Sequence, residues 1–263
     1  MLSLDVITLG VPEVQAAHAF YAAAFSPIAA DQGRLADLDM HGAGQVALHR
    51  TEALAAAAGA EPATSGFRGY IVSYIVSQPS EVEALLAAAV RDGAKVLKPA
   101  KKGFWGGFSA ALQTPDGSIW KLAAPSKKNT APAEDPPRPT ETAVLLGVAE
   151  PKASKAFYAA LGMTIDRDYG NKYIDFRPNA GASRLGLMRR TDIAKDVGVG
   201  KDGSGFRALV LTCKTGSRQE VDALLAAAVS AGGRIAVAAG ETGSGYAGYF
   251  ADPEGFLWQA VAA

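Results

Sequence analysis

Three segments of this chain occur twice, in the same order and at nearly constant spacing. VEALLAAAV at residues 82–90 returns as VDALLAAAV at 221–229, AFYAA at 19–23 returns at 156–160, and PDGSIW at 115–120 returns as PEGFLW at 253–258. The offsets are 139, 137 and 138 residues. One alanine-rich match arises easily by chance, but three ordered matches at a fixed interval mark a duplication. Between the copies lies SKKNTAPAEDPPRPT at 126–140, whose prolines suit neither a helix interior nor a central strand. The 263 residues therefore divide into a first domain at 1–124, a proline-rich linker at 125–139 and a second domain at 140–263.

Each copy divides once more. Residues 4–11 are an apolar run suited to a strand, 13–24 suit a helix, and 34–40 with 45–50 read as two strands around the Gly42–Gly44 turn. The order restarts with a strand at 70–76. A helix follows, with Ser80 and Glu83 in capping-box positions and Gly93 as its stop, then strands at 95–97, 108–113 and 119–123. The second copy repeats the series. Its strands fall at 142–148, 173–178, 184–189, 206–213, 235–238, 248–251 and 256–261. Its helices fall at 151–161 and 221–231, the latter with a capping box at Ser217 and Glu220. The glycine-rich stretch 195–205 reads as a loop. This gives roughly β-α-β-β-β four times, with modules at about 3–50, 68–124, 140–191 and 205–263. The helices are too few for a parallel doubly wound sheet, so the class is α+β.

Composition narrows the partners. Lys plus Arg equals Asp plus Glu at 26 each, which argues against a broad nucleic-acid-binding face. Cys213 is the single cysteine and lies in the apolar run ALVLTC, so it reads as a small buried hydrophobe, and no intrachain disulfide or cysteine-held metal is expected. The alanine-rich runs are too short to span a bilayer, and MLSLDVITLGV lacks the basic start of a signal peptide. The expectation is a cytoplasmic protein with no membrane or nucleic-acid partner.

In combination, four segments carry a family resemblance: ITLGVPEVQAAHAFY at 7–21, FWGGFSAALQTPDGSIWKL at 104–122, LLGVAEPKASKAFYAALGM at 145–163 and YAGYFADPEGFLWQAV at 246–261. The chain resembles the vicinal oxygen chelate superfamily, which includes glyoxalase I, bleomycin resistance proteins and extradiol dioxygenases. The resemblance implies four βαβββ modules in two tandem glyoxalase-like domains, each with a cupped mixed β-sheet and flanking helices.

The family places a divalent metal in the cup, held by His, Gln or Glu from a first strand and a later strand. Here the first-strand positions fall on Val6 and Ala143, and the position after the closing tryptophan falls on Lys121 and Gln259. The first strands of the other modules offer residues near Ile71 and Ala208. The inner strands offer Ala47 or His49, and Gly186 or Met188. A divalent cation needs several converging N or O donors, so a metal is disfavoured and no cofactor is expected.

Among the three histidines, His18 reads as a helix side chain and His41 as a turn residue. His49 is the best general-base candidate, with Lys121 beside it as a weak second. By analogy with the family, Trp105, Phe108, Tyr246 and Tyr249 form an aromatic wall beside the cups, and Lys121 and Gln259 make polar contacts to a ligand. The same aromatics read equally well as cover for a sheet edge or a domain interface. The functional expectation is a protein that binds a small organic molecule in one or both cups without the usual metal ligands. A lyase, isomerase or dioxygenase of the superfamily is the alternative, and a structural or interaction role is the second. The oligomer is expected to be a monomer with pseudo-symmetric domain pairing, or a homodimer.

Overall fold

The computed structural model describes residues 1–29, 37–103, 107–243 and 245–262. The first module runs β1 (Val6–Val11), α1 (Val14–Phe25), β2 (Ile28–Ala29), β3 (Asp37–Asp39) and β4 (Gln45–Arg50). A short helix, α2 (Thr51–Ala57), and β5 (Thr64–Gly66) lead into the second module: β6 (Tyr70–Ile75), α3 (Pro79–Arg91), β7 (Lys95–Lys102), β8 (Phe108–Gln113) and β9 (Ile119–Ala124). The third module is β10 (Glu141–Val148), α4 (Pro151–Ala160), β11 (Ile165–Asp168), β12 (Ile174–Phe176) and β13 (Arg184–Arg189). After α5 (Arg190–Val197) and β14 (Gly203–Gly205), the fourth is β15 (Leu209–Thr215), α6 (Arg218–Ser230), β16 (Arg234–Thr242), β17 (Gly245–Ala251) and β18 (Leu257–Ala262). The four βαβββ modules and the α+β class are as the sequence implies. Part of the strand expected at 34–40 lies outside the described residues.

The modules pair across the copies rather than within them. One eight-stranded sheet has the order β16-β17-β18-β15-β1-β4-β3-β2, and the other has β11-β12-β13-β10-β6-β9-β8-β7. Modules one and four thus share the first sheet, and modules two and three share the second. The joins are antiparallel, with β1 against β15 and β6 against β10. Both sheets are mixed, since each first strand also runs parallel to the last strand of its own module. The resemblance implied one cup per half, whereas each cup here takes one module from each half. The connectors carry the exchange. In each half the chain leaves one sheet after α2 or α5 and crosses to the other, and the crossing segments β5 and β14 pair with each other. Glycine is required at the crossing: a Cβ on Gly66 would lie 2.4 Å from the Asp202 carbonyl oxygen, and one on Gly205 would lie 2.1 Å from that of Ala63.

Alternation sorts the two faces of each strand. Ile7, Leu9 and Val11 of β1, with Leu209, Leu211 and Cys213 of β15, join one large core beneath the long helices. In α1, Ala17, Phe20, Tyr21, Ala24 and Phe25 turn inward at helical spacing. This core explains why the sequence repeats where it does. Tyr21 of AFYAA donates to Asp116 Oδ2 of the PDG turn at 2.9 Å, and Trp120 Nε1 donates to Tyr21 Oη at 3.2 Å. The second copy rebuilds the set: Tyr158 donates to Asp252 at 2.6 Å and Trp258 to Tyr158 at 3.4 Å. Burial pushes the Asp252 carboxyl up to about 6.

Helix starts follow the repeat with one change. Ser217 caps α6 by accepting from the Glu220 amide at 3.3 Å, as expected. The box expected at Ser80 and Glu83 is not formed, because α3 begins two residues earlier with Gln78 as its N-cap. Glu81 instead accepts from the Ser77 amide at 2.9 Å, the counterpart of Glu220 accepting from Gly216. The stretch read as a loop at 195–205 contains the end of α5 and all of β14. No helix among the described residues is long and apolar enough to cross a membrane.

Candidate functional site

The faces turned away from the large core form the two cups, and strand register places their floors residue by residue. Across the first cup runs Val6, Thr212, Gln259, Tyr249 and Val237, each opposite the next. Across the second runs Arg184, Ala143, Ser73, Lys121, Ala111 and Lys98. The two rows correspond through the duplication: Val6 with Ala143, Thr212 with Ser73, Gln259 with Lys121, Tyr249 with Ala111, Val237 with Lys98. The same fold thus carries two chemically different floors.

In the first cup the floor is neutral and hydrogen-bonded. Thr212 Oγ1 donates to Gln259 Oε1 at 3.3 Å, and Gln259 Nε2 donates to the Tyr249 hydroxyl oxygen at 2.9 Å. Burial raises the Tyr249 phenol above its ordinary value, so it stays protonated at neutral pH. Beside it, α2 closes part of the concavity: Leu54, Ala55 and Ala58 pack with Phe206, Ala208 and Val210 against Tyr249 and Leu257. A cavity of about 430 Å³ remains at the end of α2, with Arg207, Arg234 and Glu61 among its polar lining.

In the second cup α5 plays the same part. Ile193, Ala194 and Val197 pack against Phe67, Ile71, Ala111 and Ile119. On the third-module side, Arg184 bonds Glu141 at 2.9 Å and Asp166 at 2.8 Å and lies 3.5 Å from Asp175. Arg167 and Tyr173 complete the shell around Asp175, at 2.9 and 2.8 Å. With Arg177, 3.4 Å from Asp166, three guanidinium groups match three carboxylates, and Asp175 is fully buried. The second-module side is open, with a cavity of about 400 Å³ lined by Lys98, Lys101, Lys102, Lys121, Ser109 and Asp196 among others. Lys121 Nζ lies 2.5 Å from Asp196 Oδ2, and Lys98 Nζ donates to the Lys195 carbonyl oxygen at 2.5 Å. With side chains 26% and 38% exposed, the Lys121–Asp196 pair contributes at most about 1 kcal/mol to stability.

The residues singled out from sequence disperse. Gln259 and Tyr249 meet in the first cup, while Lys121 lies on the floor of the second. Phe108 is buried in the large core, on the face away from the cup. Tyr246 also turns to the helix side: its hydroxyl donates to Asp222 of α6 at 3.0 Å, and Arg218 lies 5.5 Å over its ring. Tyr246 and Tyr249 are three positions apart, an odd offset, so an extended strand must place them on opposite faces. Trp105 lies outside the described residues. His49 is exposed near the end of β4, opposite Gly10. His18 is half-buried on α1, and His41 is a turn residue with φ of 54°.

A chelated divalent metal does not fit these floors. Register moves the later-module positions from near Ile71 and Ala208 to Ser73 and Thr212, so the positions that would supply ligands hold Val6, Thr212 and Gln259 in one cup, and Ala143, Ser73 and Lys121 in the other. Neither set contains an anionic donor, and an ammonium opposes a cation directly. Among the described residues no group of three or more His, Cys, Asp or Glu side chains is placed to hold a metal ion.

Sequence reasoning missed Thr212, Ser73, Lys98 and Asp196. Thr212 and Ser73 were legible as the polar members of buried alternating strands. Asp196 was hidden because the end of α5 falls in the stretch 195–205 that reads as a loop.

The model of the Glyoxalase/Bleomycin resistance protein/Dioxygenase superfamily matches residues 3–122 and 142–260. Glyoxalase I from Zea mays has a similar structure, with TM-score 0.64 and 16% identity over 99% of this chain and 92% of that one. A glyoxalase-related enzyme from Fulvimarina pelagi is 27% identical over 45% of this chain and 84% of its own, with TM-score 0.40. Among curated proteins, none matches the sequence.

Proposed function

The chain belongs to the Glyoxalase/Bleomycin resistance protein/Dioxygenase superfamily, and from that premise we propose that it binds a small organic molecule in its cups without a chelated metal. The observation that carries the reading is the second cup: an open cavity of about 400 Å³ over a floor whose ligand position is an ammonium group. A concavity of a few hundred Å³ is of the size a small ligand needs, and here its lining is rich in charged side chains that would orient one. The first cup supports the same reading with different chemistry: its floor carries the neutral Thr212–Gln259–Tyr249 chain, and a cavity of about 430 Å³ at the end of α2 is lined by Arg207, Arg234 and Glu61 among others. In both cups, orientation comes from side chains fixed by the sheet.

A thermal-shift screen of a small-organic-molecule library, run with and without Zn²⁺, Mn²⁺ and Ni²⁺, tests this. At least one compound should raise Tm, by about 2 °C or more for about 1 kcal/mol or more of linked stabilisation in a chain of this size. The metals alone should leave Tm unchanged, and EDTA should not abolish the ligand effect. A compound whose stabilisation requires stoichiometric metal would sink the proposal, and so would a library without a single binder.

A further inference from the structure

Resting on that reading, we propose that the second cup is built for a compact organic polyanion, whose acidic groups displace Asp196 as the partner of Lys121. Lys98, Lys101 and Lys121 stand on one face of the sheet and line one cavity, with Lys102 at its edge, against one carboxylate, Asp196. Like charges gathered on a partly desolvated surface repel, and the arrangement gains stability when an anion enters. Lys121 has three N–H donors, and Asp196 is its one hydrogen-bond acceptor among the described residues. Asp196 is brought there by α5, which is anchored independently by Ile193, Ala194 and Val197. Exchanging Asp196 for a ligand carboxylate or phosphate therefore leaves the helix in place.

The fold does not require these lysines. In the first cup the same registers hold Val237 for Lys98, Gly240 for Lys101, Glu241 for Lys102 and Gln259 for Lys121. A register shift in β7 between Lys98 and Lys101 puts both on one face, opposite Ala111 and Ser109, while Lys102 stands opposite Phe108 at the edge of the cavity. The rest of the wall is small, formed by Pro99, Gly103, Ala110 and Ala111, which leaves room for a ligand with two or more acidic groups on a short scaffold.

Isothermal titration of the full chain with citrate, glycerol 3-phosphate and glycerol, at 50 and 200 mM NaCl, separates the arms. One anion should bind once per chain, more weakly at the higher salt, while glycerol gives no heat. The stronger of the two anions distinguishes a carboxylate from a phosphate ligand. Lys121→Gln should weaken binding at least tenfold, and Asp196→Asn should tighten it by removing the internal competitor. Because the two variants act in opposite directions, partial unfolding cannot imitate the pattern. Binding of neither anion, or equal affinities in wild type and Lys121→Gln, would overturn the proposal. If the thermal-shift screen still yields a metal-independent neutral binder, only the anionic reading falls. If the screen is empty, the small-molecule reading falls with it.

Discussion

Asp252 shows how much a single buried group can control. Its carboxylate accepts the Tyr158 hydroxyl and the amides of Glu254 and Phe256, yet burial outweighs these contacts and raises its pKa to about 6. An acid whose folded pKa lies above its unfolded value stabilises the fold fully below the unfolded pKa, near 3.8, and loses that contribution as pH rises through about 6. Between pH 4 and 7 this residue should cost the wild type on the order of 2–3 kcal/mol of its stability. Urea denaturation at several pH values should show a shallower loss over that interval for Asp252→Asn. Parallel curves for the two proteins would refute it. At this scale the sequence was partly readable. The positions of Lys121 and Gln259 followed from the motifs after Trp120 and Trp258, and Val6 and Ala143 showed the missing metal donors. What their neighbours would be did not follow, because Asp196 reaches Lys121 from 75 residues away in the chain.

The short helices α2 and α5 decide how much of each cup stays open. They are two turns long, too short to persist alone, and their stability comes from the sheets they cover. Ile193 is fully buried against the second sheet. Ile193→Ala should destabilise the chain by about 2–4 kcal/mol in denaturant titration, through lost burial and the cavity left behind. A change below about 0.5 kcal/mol would show that α5 is not a packed part of the fold. Strands and long helices were legible because their apolar periods run for several residues, as in residues 70–75 and 82–90. The short helices were not, because each follows a strand directly and offers one or two turns of signal. In α5 the clue was present: Ile193 and Val197 lie four apart, and Gly198 closes the helix with φ of 80°.

The two halves hold each other's sheets. β1 and β6 belong to the first half, and their antiparallel partners β15 and β10 belong to the second. A fragment of residues 1–125 would leave both strands without those partners, as open edges. Expressed alone, it should be found by light scattering as a dimer or aggregate. Mixed with residues 126–263, it should form a one-to-one complex; a stable, folded, monomeric fragment would contradict the pairing. The repeat announced two copies of a two-module unit, but not which modules would share a sheet, since neither connector length nor the linker dictates the exchange. That exchange also shapes how recognition can be inherited. All four lysines of the second cup come from the first half, and Asp196 with the Arg184 shell comes from the second. Neither half carries a whole binding surface, so replacing one half with that of a related chain would remodel both surfaces in a single step, each by half. Exchange of a half between two such chains would therefore alter both recognition surfaces at once, where a point substitution alters one.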